Sequence, residues 1–181
     1  MKVINNDFKL DVVSIRLVKE AQIFSDIKIT TPEAAVKLLG KYLCEMDREA
    51  LCVVNLKSDN TPINCTIVSI GALNQSIANP REMLKASILS NAANMILIHN
   101  HPSGNLQPSR EDIVVTDKMI KLTELVGITL LDHIIVGGDN REYFSMREKQ
   151  LMDHQSECYE QDYKKLKFEG NIMVSEKGKS R

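Results

Sequence analysis

Two imidazoles one residue apart, His99 and His101, stand close to a serine and an aspartate three apart, Ser109 and Asp112, in the stretch MILIHNHPSGNLQPSRED from Met95 to Asp112. Side chains at i and i+2 of a strand point the same way, so an apolar strand over Met95 to His99 would deliver both rings to one place. Pro102, Ser103 and Gly104 then turn the chain, and Pro108 with Ser109 announces a helix whose first turn holds Asp112. An oxygen ligand there completes a His, His, Asp set. Catalytic zinc sites hold three such ligands and leave the fourth corner of the tetrahedron to water. An ion so held stays net positive and draws the pKa of that water toward about 7.

The same residues support a plainer reading. Ser109-Arg-Glu-Asp112 is also a capping box, in which the serine receives the aspartate N–H and the carboxylate reaches back. A lone histidine at a strand end is commonly a satisfied polar group, whereas two, with a turn and an acid following, favour a metal. The triplet His99-Asn100-His101 spells HNH, but the nuclease motif of that name is scattered over a longer ββα element. Asn100 points away from its two neighbours and is assigned no catalytic role.

Amide hydrolysis also needs a group that takes the water's second proton and hands it to the leaving nitrogen, normally a carboxylate near the metal. Glu45, Glu49 and Glu82 lie upstream. Glu82 reads as the third residue of a capping box, Glu45 falls at a helix end, and Glu49 stands at the mouth of a strand, where it could equally be a solvated acid.

The residues from His99 to Asp112 match H-x-H-x7-S-x-x-D, the JAMM signature of the JAB/MPN metalloprotease superfamily. With SIGALNQS at 69–76, NPREMLKASILSNAANMILIHNHPSGNLQPSRED at 79–112 and LLDHIIVGG at 130–138, the chain resembles the RadC family of bacterial MPN-domain proteins over residues 31–150. The resemblance implies a three-layer α/β (α+β) fold of MPN, cytidine-deaminase-like type, with a mixed central sheet flanked by helices. It implies Zn2+ on His99, His101 and Asp112, and Ser109 as a donor to the tetrahedral oxyanion. Glu49 becomes the proton shuttle, because REAL at 48–51 resembles the corresponding RadC position. The implied substrate is a peptide or protein, cut at a peptide or isopeptide bond.

The resemblance also carries an association with DNA repair. The competing expectation is a binding module for DNA or a DNA-repair protein, with a structural or vestigial zinc site. RadC proteins usually have an N-terminal helix-hairpin-helix region, for which the stretch before Thr31 is too short. A phosphodiesterase would need a second metal or an arginine cluster, and neither is evident.

Several elements must position these groups. Thr31-Pro-Glu predicts a helix from Pro32 to Cys44 with Ala35, Leu38, Leu39, Tyr42 and Leu43 on one face. ALCVVNL and Ile63 to Ile70, joined by Lys57-Ser-Asp-Asn60, predict a hairpin central to the sheet. Asn79-Pro-Arg-Glu predicts a helix from Pro80 to Asn91, packing through Met83, Leu84, Ile88 and alanines. After the His strand, a helix runs from Ser109 to Val126 with Ile113, Ile120 and Leu125 inward, stopped by Gly127, and Ile128 to Val136 is a further strand. Within it His133 reads as a hydrogen-bonded structural residue or an outer partner of a ligand, not a ligand itself. DVVSIRLV at 11–18 could be a short strand, and Lys19 to Thr30 a connector.

The expected organisation is an extension over 1–30, the MPN domain over 31–150 and a polar tail over 151–181, where His154 and Lys164, Lys165 and Lys167 read as solvated surface. A net charge of −1 offers no global attraction for nucleic acid. Cys44, Cys52, Cys65 and Cys158 form no C-x-x-C pair and suggest a reducing compartment. No stretch has the apolar run of a signal peptide or membrane span, so the expected location is the cytoplasm.

Overall fold

Helices begin where a capping side chain and a compatible first turn coincide. In the computed structural model, which describes residues 14, 16–20, 23, 27–71, 79–138 and 142–152, Thr31 caps α1 (Pro32–Cys44), its hydroxyl accepting the Ala34 N–H at 3.3 Å. Asn79 caps α2 (Pro80–Leu89) by accepting the Arg81 N–H at 3.1 Å. Ser109 and Asp112 form the full reciprocal box at the start of α3 (Arg110–Leu125). The chain leaves α3 through Gly127, whose φ of 72° is open to glycine without a Cβ penalty.

Five strands make one sheet: β1 (Ala50–Leu56), β2 (Pro62–Ile70), β3 (Asn94–Asn100), β4 (Thr129–Val136) and β5 (Tyr143–Ser145). Their order is β2-β1-β3-β4-β5, and all pairs are antiparallel except β3 with β4. The long connection through α3 is what allows β3 and β4 to run parallel. β3 lies in the middle, buried on both faces, which explains why it reads as an unbroken apolar run instead of an alternation.

Alternate residues of the sheet feed two separate cores, as a period of two requires. Cys52, Val54, Ile96, Ile98, Ile134 and Val136 pack with Ala35, Val36, Leu39 and Leu43 of α1. Leu51, Val53, Met95, Leu97 and Ile135 pack with Met83 of α2 and Ile113 and Met119 of α3. The result is the three-layer α/β arrangement with a mixed sheet that the sequence predicts. His99, an odd-numbered residue of β3, shares the face of the sheet that α2 and α3 cover.

Some expectations need correction. The hairpin is not central as a whole: β1 is interior, but β2 is an edge strand and is half-buried along most of its length. Tyr42, Ile88 and Leu125 are exposed, the last at 82%: Tyr42 and Ile88 lie one position off buried Leu43 and Ser87, and Leu125 lies past Thr123, the last buried residue of α3. Glu82 does not close a capping box; its carboxylate pairs with Lys85 Nζ at 2.7 Å. β5 is too short to give a periodic signal, yet it pairs with β4 and covers the sheet's second edge. Ile29, in the unassigned connector, is buried and its N–H donates to the Asn60 carbonyl. Leu151 and Met152, assigned to the polar tail by composition, are buried in the α3-side core. Ser14 and residues 16–20 carry no strand, and the rest of 11–18, the 72–78 link and the tail beyond Met152, with His154, Cys158 and the three lysines, lie outside the described residues. Cys44, Cys52 and Cys65 are free thiols. Among the described residues no helix is long and apolar enough to cross a membrane.

Candidate metal centre

The end of β3 and the first turn of α3 meet on the α3 side of the sheet, and they bring three ligand-type side chains together. One ligand atom from each of His99, His101 and Asp112 lies within 4.8 Å of the others, and all three residues are buried. The two histidine Nε2 atoms are 3.0 Å apart. Asp112 Oδ1 lies 3.3 Å from His99 Nε2, and Asp112 Oδ2 lies 3.7 Å from His101 Nε2. Donors about 2.0–2.1 Å from a tetrahedral ion stand roughly 3.3 Å from one another. The observed triangle therefore fits one small cation held by all three residues.

Hydrogen bonds around the triangle leave its inward atoms free. Asp112 Oδ2 accepts from the Ser109 N–H at 2.7 Å and from the Ser109 hydroxyl at 2.6 Å, which leaves Oδ1 for an ion. His101 Nδ1–H donates to the Asn105 carbonyl, a group that can only accept, so its Nε2 carries the lone pair. Thus Ser109 acts as a helix cap and also as the clamp that orients the carboxylate. Both readings of the Ser-x-x-Asp spacing describe the same atoms.

The electrostatics agree with a cluster of opposite charges. Burial alone would raise the Asp112 pKa, but the charge and hydrogen bonds of His99 and His101 hold it well below the ordinary carboxylate value. Burial pulls His101 down, yet hydrogen bonds to Asp112 and Asn105, with the charges of Asp112 and Glu49, leave it raised. The effect of Glu49 is informative, because it places that carboxylate within electrostatic reach of the cluster. The antiparallel β1–β3 register ends with Leu51 opposite His99, and Glu49 lies two residues before Leu51 while His101 lies two after His99. Glu49 is half-buried there. Glu45 is an exposed C-cap of α1, in the opposite layer, and Glu82 is held by Lys85 on the surface of α2.

Comparison with known proteins accords with this arrangement. Residues 29–151 match the family model described as RadC-like JAB domain. The chain belongs to the RadC-like JAB domain family. It is 42% identical over 129 residues to a UPF0758 protein of Clostridium acetobutylicum, covering 71% of this chain and 56% of that one. A UPF0758 protein of Desulforamulus reducens is 44% identical over 124 residues, covering 68% of this chain and 54% of the relative. One from Methanosarcina mazei is 41% identical over 122 residues, covering 67% and 52%. The chain thus spans just over half the length of these relatives.

Two further residues of this RadC-like JAB domain stand beside the cluster: Asn100, and His133, which the sequence reads as a hydrogen-bonded residue or an outer partner of a ligand. Asn100 points away from the histidines, as expected, and on that far face it grips the strand that carries Glu49. Its Oδ1 accepts the Ala50 N–H at 2.8 Å and its Nδ2 donates to the Arg48 carbonyl at 3.1 Å. The Glu49 carbonyl accepts the Gly71 N–H at 2.8 Å, so the peptide groups on both sides of Glu49 are held. His133 stands behind His99, with its Nε2 2.9 Å from His99 Nδ1. It is fully buried, and burial with the neighbouring charge of His99 pushes its pKa down to about 3, so its ring is neutral at ordinary pH. Which groups these two side chains meet was not readable from spacing, since both contacts depend on strand register between segments far apart in sequence.

Proposed function

We propose that this chain is a zinc-dependent hydrolase of peptide or isopeptide bonds, with His99, His101 and Asp112 as the metal ligands. The observation that carries the reading is the buried cluster of two Nε2 atoms 3.0 Å apart with the Asp112 carboxylate, its Oδ1 3.3 Å from His99 Nε2 and its Oδ2 3.7 Å from His101 Nε2, and a further carboxylate in electrostatic reach. Two neutral imidazoles and one carboxylate suit zinc, which when bound supplies Lewis acidity and lowers the pKa of water at an open corner. Glu49 is not part of the triangle, and it would take a proton from the attacking water and pass it to the leaving nitrogen. Ser109 steadies the developing oxyanion by turning its hydroxyl away from Asp112 Oδ2. That oxygen then keeps the Ser109 backbone N–H, so the ligand does not lose its orientation.

The test is cleavage of peptide and isopeptide libraries by the zinc-loaded protein, beside Glu49→Gln. Removing a general base costs about 10²–10⁴-fold in rate, and the variant should still bind zinc. Absence of cleavage by the parent protein, together with Glu49→Gln behaving identically, would count against the hydrolase. A gel shift across salt concentrations separates it from the DNA-binding alternative, which requires affinity to fall steeply as salt rises.

A further inference from the structure

We propose that His133 and Thr116 are positioning residues that set which nitrogen of His99 carries the proton, and so keep Nε2 available for a cation. The inference rests on the reading of His99 as a ligand.

A chain of polar contacts leaves one side of the triangle and returns to another. His99 Nδ1 is 2.9 Å from His133 Nε2, and His133 Nδ1 is 2.6 Å from Thr116 Oγ1. The Thr116 hydroxyl lies 2.6 Å from the backbone carbonyl of Asp112, with Met146 Sδ at 3.2 Å. All five residues are buried, so no water competes along the path.

The polarity of this chain is set at its far end. A carbonyl can only accept, so the single Thr116 hydroxyl proton goes to Asp112, and the oxygen then accepts from His133 Nδ1–H. A neutral imidazole has one N–H, which leaves His133 Nε2 bare. It accepts from His99 Nδ1–H, and the lone pair of His99 falls on Nε2, facing His101 and Asp112. Reversed, the chain would put a proton on His99 Nε2, 3.0 Å from His101 Nε2, and block the corner shared by the ligands. His101 takes its polarity directly from the Asn105 carbonyl; His99 has no carbonyl in that position and takes it from the Asp112 carbonyl through two intermediates.

The fold supports the relay mechanically. The parallel β3–β4 register pairs Leu97 with His133, which puts that ring one step behind His99 on the same face. Thr116 lies four residues after Asp112, one turn along the same side of α3. The His133 N–H donates to Asp132 Oδ1 at 2.7 Å and its carbonyl accepts the Met146 N–H at 3.0 Å, so the ring cannot drift along the strand.

The test uses the 181-residue chain with zinc as the probe, and two readouts. Ring-nitrogen NMR of the zinc-loaded parent protein should show His99 and His133 both protonated at Nδ1; a proton on His133 Nε2 overturns the proposal without any variant. In chelator competition, His133→Phe and Thr116→Val should weaken zinc binding by about 10- to 100-fold. His133→Gln, which restores an acceptor near Nε2, should recover most of that loss. Parent-like zinc affinity in both His133→Phe and Thr116→Val, with His99→Ala losing zinc, overturns the relay while leaving the ligand set intact. If His99→Ala binds zinc as the parent does, or the parent binds none, the ligand reading and this inference fall together.

Discussion

At the scale of the residue, the chemistry is decided by which atoms are already engaged. Ser109 takes one oxygen of Asp112 and Asn105 takes one nitrogen of His101, and the atoms left over converge. Without metal the same groups form a charge pair, and its pH window follows from the shifts. His101 is raised, so its contribution to stability is complete below its ordinary value of 6.5 and is lost as pH rises through the raised value. Asp112 is lowered, so its contribution is present above 3.8 and is lost as pH falls toward its depressed value. Zinc requires the ligands deprotonated, so its own stabilisation grows with pH. Melting temperatures measured from about pH 5 to 8 should therefore move in opposite directions with chelator and with zinc, relative to His101→Ala; parallel curves would contradict the pairing. Asn100→Ala leaves the Ala50 N–H and the Arg48 carbonyl without their partner, at a cost of about 1–3 kcal/mol. Urea unfolding reads that loss, and zinc binding should change little, since Asn100 faces away from the ligands.

At the scale of the element, β3 carries the site because it is the strand least free to move. It is third of five and covered by helices on both faces, and its last residue side chains emerge where α3 begins. Leu97 is fully buried two residues before His99 on the same face, so Leu97→Ala should cost about 2–5 kcal/mol through the cavity it leaves. Leu125→Ala, at a position 82% exposed, should stay within about 0.5 kcal/mol of the parent. The contrast, read from denaturant midpoints, checks the corrected inward face of α3. If Leu125→Ala proved as costly as Leu97→Ala, the helix would be rotated from the orientation described.

At the scale of the whole molecule, an ion on His99, His101 and Asp112 would tie the central strand to α3 across the turn at 102–108. Binding to the folded state alone stabilises by about 4 kcal/mol at a thousandfold excess over Kd. Zinc should raise the melting temperature of the parent protein, chelator should reverse it, and His99→Ala should abolish the response; calorimetry with all three would settle whether the turn is closed by metal. What the sequence determined by itself was local: capping side chains fixed the starts of the three helices among the described residues, the apolar run announced the buried strand, and H-x-H-x7-S-x-x-D put the two imidazoles and the acid within reach. Glu49 entered through family resemblance, and only the tertiary structure brought its charge within reach of His101. The contacts of Asn100, His133 and Thr116, the edge position of β2 and the burial of Leu151 were decided by tertiary structure. The physical reason is that a hydrogen bond across strands depends on register and on which face a side chain meets, and a one-residue slip reverses both. A cap or a turn is closed within four residues and has no such freedom.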